Sequence, residues 1–302
     1  MGKGVEAENM LVHAMKVRRE ILSDEDKNTL SGMAMVGLAY KLKGWWDAAG
    51  KLEVQVIETS KTKLGVDYLD TLMSMANLAS TYWNQGRWDD AEKLEVQVMK
   101  TRKTKLGVDH PSTLMSMANL ASTFWNQGRW DDAEKLEVQV MKTSKTKLGV
   151  DHPDMLTSMA NLASTYRNLG WWDDAEKLEV QVMETSKTKL GVDHPSTLTS
   201  MANLASTFWN QGRWDDAEKL EVQVMETRKT KLGVDHPDML TSMNNLAFTW
   251  KGNGKEVEAV RLMGDCVRAR NRVLGLNHPH SISSCITLDA WKAEQEDVVL
   301  LI

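Results

Sequence analysis

One block of sixteen residues, NQGRWDDAEKLEVQVM, begins at Asn84 and begins again, unchanged, at Asn126 and Asn210, with a variant, NLGWWDDAEKLEVQVM, at Asn168. The block belongs to a longer period. Leu-Gly pairs stand at Leu64, Leu106, Leu148, Leu190, Leu232 and Leu274, each 42 residues after the last, and one step back reaches Leu22 and the divergent SDEDKNTL. Over a whole period, Gly107–Leu148 and Gly191–Leu232 differ only at Met115/Thr199, Lys142/Glu226 and Ser144/Arg228. A fixed period of roughly 20 to 50 residues restricts a chain to a solenoid or array, because one unit cannot bury its apolar face without a neighbour. That constraint overrides the about two domains that a length of 302 residues would otherwise suggest.

Each period reads as two helices. In the third, LGVDHPSTL is the breaker: Gly107 suits a left-handed helix end, and Pro111 suits the first turn of the next helix, where its missing N–H costs nothing. Leu114, Met117, Leu120, Ala121 and Phe124 then recur at three-and-four spacing, a helix with one buried face that Gly128 closes. The second helix opens with Asp131 and Asp132 and finishes with Lys145 and Lys147, each suited to the dipole at its end. Its apolar face is Trp130, Ala133, Leu136, Val140, Met141 and Leu148.

Leu120-Ala121, Phe124, Gly128, Trp130 and Ala133 carry a resemblance. A large-small pair, an aromatic, a turn glycine, a second aromatic and a small alanine match the tetratricopeptide pattern. The period of 42 residues and the linker LGxDHP are similar to the kinesin-light-chain type of that repeat, and to the arrays at the C-terminus of fungal NLR-like (STAND) proteins. The resemblance implies an all-α fold: a right-handed superhelix, or α-solenoid, of about fourteen antiparallel helices. These divide into a half-repeat helix over 1–22, six 42-residue units over 23–274, and a half-repeat helix and tail over 275–302, together a single domain. Glu137 departs from the family, which often has a large residue there, so its packing role is expected to pass to Leu136 and Val140. The unmatched half-repeats imply a fragment of a longer protein; a natural cap rich in charge at Arg18, Arg19 and Glu20 is the alternative.

Several function classes are disfavoured. A net charge of −5 leaves no basic footprint for nucleic acid. No run approaches the roughly 18 apolar residues of a membrane span, and the start lacks a signal-peptide core. Only Cys266 and Cys285 are present, so no disulfide framework is expected, and a cytoplasmic setting fits. No nucleotide-binding Gly-Lys loop, His-Glu-x-x-His or paired-cysteine motif occurs, so neither catalysis nor a cofactor is expected. His110, His152, His194 and His236 recur one per unit and are expected at helix starts, not around a metal. The KTSKTK and KTRKTK segments are expected to be solvated helix ends.

Binding is the expected activity. First helices of such a stack line a concave surface, and positions off their buried face form rows: Asn77, Asn119, Asn161, Asn203 and Asn245; Ser80, Ser122, Ser164 and Ser206; Trp83, Trp125, Arg167, Trp209 and Lys251; and Met73, Met115, Thr157, Thr199 and Thr241. Each amide offers two donors and an acceptor, which suits the backbone of an extended peptide; fixing one helix against the next is the alternative role. The family resemblance implies peptide contact at the asparagines. Tryptophan is a common anchor at interfaces, whereas Trp88, Trp130 and Trp214 are expected in the core. Arg167 and Lys251 suggest an acidic group on the ligand, although the rows lack the basic set of a carboxylate clamp. A protein- or peptide-binding scaffold is therefore expected, as the sensing or regulatory region of a larger NLR-like protein. A cargo adaptor of kinesin-light-chain type and end-to-end self-association are the alternatives.

Overall fold

The computed structural model describes residues 26–300, with side chains as far as 295, and positions 13, 14, 17 and 21–23 before them. The half-repeat helix expected over 1–22 therefore lies largely outside the described residues. Among the described residues there are thirteen α-helices and no strand. First helices are α1 (Lys27–Leu42), α3 (Leu69–Asn84), α5 (Pro111–Asn126), α7 (Pro153–Asn168), α9 (Pro195–Asn210), α11 (Pro237–Gly252) and α13 (Pro279–Leu300). Second helices are α2 (Trp46–Leu64), α4 (Trp88–Leu106), α6 (Trp130–Leu148), α8 (Trp172–Leu190), α10 (Trp214–Leu232) and α12 (Glu256–Val273).

The breakers act where the sequence places them. Gly107 ends α4 at φ 91°, a conformation that strains any residue with a Cβ. Four residues on, Pro111 sits in the first turn of α5. The recurrent histidines are N-caps: Nδ1 of His110, His152, His194 and His236 accepts the backbone N–H of Ser112, Asp154, Ser196 and Asp238 at 3.1–3.2 Å. Each imidazole thus satisfies one of the donors a helix start leaves open. Among the described residues no group of three or more His, Cys, Asp or Glu could hold a metal.

The chain divides into two compact units, 1–147 and 148–302. In the first, Leu120, Ala121 and Phe124 of α5 bury against Ala133 of α6, and Leu114 and Met117 against Val140. In the second, Leu204, Ala205 and Phe208 of α9 bury against Ala217 of α10, and Ala247, Ala259, Met263, Leu288 and Trp291 close α11–α13. The buried alanines let antiparallel helices approach closely, and the first-helix aromatic fills the wider end. Trp88, Trp130 and Trp214, expected in the core, are only half-buried and join none of these clusters. The alanine three residues later already occupies the helix contact, so the indole lies at its margin. Cys266 is buried, and its thiol donates to the carbonyl of Leu240.

Candidate peptide-binding face

The asparagine, serine and Met/Thr rows lie outside the core clusters, whereas Trp125 of the tryptophan row packs against one. Asn119 and Asn161 are exposed, and Asn77, Asn203 and Asn245 half-buried. No hydrogen bond to another helix engages any of these five amide side chains among the described residues, so the alternative role of fixing one helix on the next has no support. The four row serines are half-buried, and their carbonyls accept from the amides of Asn84, Asn126, Asn168 and Asn210 at 2.7–2.8 Å. Met73 and Met115 are exposed, as are Thr157, Thr199 and Thr241.

Repeat-to-repeat bonding runs instead through a different set. Gln127 donates to Asp89 at 2.9 Å and to Glu92 at 3.0 Å, and Arg129 donates to Glu92 at 2.9 Å and to Asp132 at 2.9 Å. Arg129 also lies over the Phe124 ring, 4.1 Å from its centroid. Gln211, Arg213, Glu176 and Asp216 repeat the arrangement in the second unit. The arginine hydrogen bonds hold Asp132 and Asp216 below the usual carboxylate range.

Leu136 and Val140 pack in the core, as expected, but Glu137 and its counterparts Glu53, Glu95, Glu179 and Glu221 are not left outside it. All five are buried, at 3–6% exposure, and fill the large-residue position themselves. A threonine of the following first helix supplies a hydroxyl: Thr81 donates to Glu53 at 2.6 Å and Thr123 to Glu95 at 2.7 Å, and Thr207 donates to Glu179. Burial raises all four carboxyls for which a shift is resolved, and pushes Glu95 and Glu221 up to about 7.

Trp209 lines one cleft with Glu221, and Trp83 and Trp125 precede Glu95 and Glu137 by the same twelve residues. Where the tryptophan row carries a cation, the cation turns inward. Arg167 Nη1 lies 3.4 Å from Glu179 Oε1 and donates to the carbonyl of Asn203 at 3.0 Å. Lys41, one period before Trp83, repeats this more loosely, with Nζ 3.9 Å from Glu53 and 3.2 Å from the carbonyl of Asn77. Lys251 stands above Met263, not a glutamate, and pairs with Glu256 at 3.0 Å and Glu294 at 2.9 Å. Arg167 and Lys251 therefore have partners within the chain, and the expectation that they await an acidic ligand group is corrected. The signal was present in the sequence: Lys41 and Arg167 each precede a buried glutamate by twelve residues, and Lys251 precedes a methionine.

Two clefts open between successive first helices. One, of about 190 Å³, lies between α1 and α3 over Ser60 of α2; Asn77 and Met73 line it, and Lys27 and Asp70 pair at its mouth, 3.2 Å apart. The other, of about 210 Å³, lies between α9 and α11 over Glu221 of α10, and brings together Ser206, Trp209 and Asn245 with Phe248 and Thr249. One member of each of three rows thus meets in a single site.

The KTSKTK segments also depart from expectation. Their lysines are solvated, but the central residue points inward: Ser60, Ser144 and Ser186 are buried, and so are Arg102, Arg228 and Arg270. Arg228 donates to Ser242 Oγ at 2.9 Å and to the carbonyl of Asp238 at 3.2 Å, and burial lowers its pKa, with the Asp238 charge opposing the shift. Two neutral hydrogen bonds thus offset the desolvation of a charge. Arg228→Ser, which copies Ser186, is expected to change stability by less than about 1 kcal/mol. Urea denaturation checks this, and a loss of several kcal/mol would make the guanidinium a structural anchor.

The tetratricopeptide repeat model matches residues 71–112, 113–154, 155–196, 197–238 and 239–280. A solved structure of nearly identical TPR-like repeats from Podosopora anserina, ascribed to a kinesin light chain, is 30% identical over 67% of this chain and 95% of its own, with a TM-score of 0.60. BtubC from P. vanneervenii shares the fold at 19% identity and a TM-score of 0.61, over 77% of this chain and 92% of its own. A Pyrococcus horikoshii STAND protein with a tetratricopeptide repeat sensor shares it at 11% identity and a TM-score of 0.66, over 97% of this chain and 45% of its own. A search of curated proteins found no match.

Proposed function

The chain belongs to the tetratricopeptide repeat family, and from that premise we propose that its first-helix face binds an extended peptide segment of a partner protein through the asparagine, serine and tryptophan rows. Tetratricopeptide arrays are protein- and peptide-interaction scaffolds, and this one carries no metal cluster among its described residues. The observation that supports the reading is the row of asparagines on the first helices, of which Asn77 and Asn245 each line a cleft between successive first helices. Amides at a fixed spacing meet the regularly spaced N–H and C=O groups of an extended backbone, whatever its side chains.

The near identity of the units makes their subsites alike, which suits a repetitive or extended ligand. We place the six units over 23–274 and the C-terminal half-repeat over 275–302 in one array, as the regulatory repeat region of a larger NLR-like protein in the cytoplasm. No described helix is long and apolar enough to cross a membrane.

A peptide array probed with the full chain tests the reading. Joint substitution of Asn119, Asn161 and Asn203 by alanine is expected to weaken the best peptides about a hundredfold, at roughly 1 kcal/mol per lost hydrogen bond. Their exposed or half-buried sites predict an unchanged thermal midpoint. Undiminished binding by that variant would remove the asparagines from the interface.

A further inference from the structure

Glu221 is a buried carboxyl with an unfilled place beside it. It is 6% exposed, its Oε2 has no hydrogen-bond partner, and it floors the 210 Å³ cleft between α9 and α11. Thr249, which carries the hydroxyl used by Thr123 and Thr207 elsewhere, lies beside the carboxyl and partly offsets its burial, but Oε2 is left outside hydrogen-bonding geometry. A buried acceptor left unpaired costs about 1–3 kcal/mol, so a donor entering this cleft gains more than it would at an open surface.

The chain itself shows what such a donor is. One repeat earlier, Arg167 occupies the row position that Trp209 holds here, and its guanidinium reaches both Glu179 and the carbonyl of Asn203. Lys41 does the same toward Glu53 and the carbonyl of Asn77. Trp209 supplies no cation. Its ring is 37% exposed and packs edge-on against Trp214, with centroids 5.5 Å apart, and Phe248 at 36% exposure forms the facing lip. Glu221 is the sole ionisable residue lining the cleft. A cavity of about 150 Å³ holds a benzene ring, so this one, lined by the aromatic Trp209 and Phe248, has room for one long side chain.

We propose that the cleft over Glu221 receives the lysine or arginine side chain of a partner peptide, which takes the place that Arg167 fills from within the chain over Glu179. The proposal deepens the peptide-binding reading and rests on it for the source of that side chain.

The test uses N-acetyl-arginine N-methylamide as probe and its citrulline counterpart, equal in shape but uncharged, titrated into full-length protein carrying ¹⁵N-tryptophan. The indole N–H signal of Trp209, assigned with Trp209→Phe, is read. The expected result is a saturating shift with the arginine probe, at least about tenfold weaker with citrulline, and weakened about tenfold or more by Glu221→Gln, the loss of one charged hydrogen bond. Arg167→Trp is expected to open the Glu179 cleft and add a second indole signal that responds. Equal response to arginine and citrulline, unchanged affinity in Glu221→Gln, or no shift at all would each overturn the proposal. Array peptides that bind regardless of basic content would sink it while leaving the scaffold reading intact; an arginine response without any bound peptide would do the reverse.

Discussion

Arg167→Trp is expected to cost unit 2 up to about 3 kcal/mol at pH 8 and much less at pH 5, and Glu179→Gln in the same chain is expected to recover most of that loss. Arg167 and Glu179 form a buried pair, 17% and 3% exposed. Removing one member of such a pair leaves the other charge uncompensated, at about 3–5 kcal/mol. The Glu221 site, with tryptophan in the same row, shows the end state, a carboxyl pushed up to about 7; burial already raises Glu179 with Arg167 beside it, so the loss is the further rise, at most about 3 kcal/mol. The sign follows from linkage. Raising the folded-state pKa of Glu179 makes the folded state hold its proton longer than the unfolded state, so stability is retained below about pH 4.5 and lost as pH rises toward the folded value. Equilibrium urea denaturation at the two pH values, with hydrogen exchange of α7–α9 to localise the change in a repeat array, measures the effect. An equal loss at pH 5 and pH 8 would mean that Arg167 acts through packing alone.

How far the sequence could foretell this depends on what kind of periodicity carried each feature. The helix pairs were legible because glycine, proline and apolar spacing recur at fixed offsets, and those residues act on the backbone of their own unit: Gly107 and Pro111 stop and start helices wherever they stand. The recurring histidines were legible as helix starts for the same reason. What could not be read from one unit was the exchange between units. Glu95 looks like a surface residue in EKLEVQ, and only the hydroxyl of Thr123, twenty-eight residues later, makes its burial tolerable. Trp130 looks like core because it is large and apolar, yet Ala133 takes the helix contact. Arg102 looks like one more charge in a lysine-rich helix end, until Ser116 on the next helix turns up as its partner. In the candidate site the rows were legible, but the buried carboxyl beneath the tryptophan row was not, because alternation between a cation and an indole at one position has meaning only against the residue twelve places on.

That buried carboxyl has its largest consequence in the unmodified protein. As pH rises from 5 to 8 the chain is expected to lose stability, where ordinary acid-sensitive proteins gain it. Burial pushes Glu95 and Glu221 up to about 7 with no cation beside them, so between about pH 4.5 and pH 7 each holds its proton more firmly folded than unfolded, and stability falls across that window. Each shift corresponds to roughly 3 kcal/mol at full ionisation, with partial opening of the site to water reducing the figure. The carboxylates held low by arginine or lysine hydrogen bonds, Asp90, Asp132 and Asp216 among them, act in the opposite sense. Their stabilisation is lost only as pH falls below their ordinary range, so they bound the profile on the acid side and leave the window between 4.5 and 7 to the buried glutamates. Thermal midpoints taken at half-unit steps are expected to peak near pH 5 and decline to pH 8. In Glu95→Gln/Glu221→Gln the decline is expected to flatten, since glutamine keeps an oxygen for Thr123 and cannot ionise. A double variant that retains the wild-type slope would place the titrating groups elsewhere and leave the two glutamates as neutral packing at every pH.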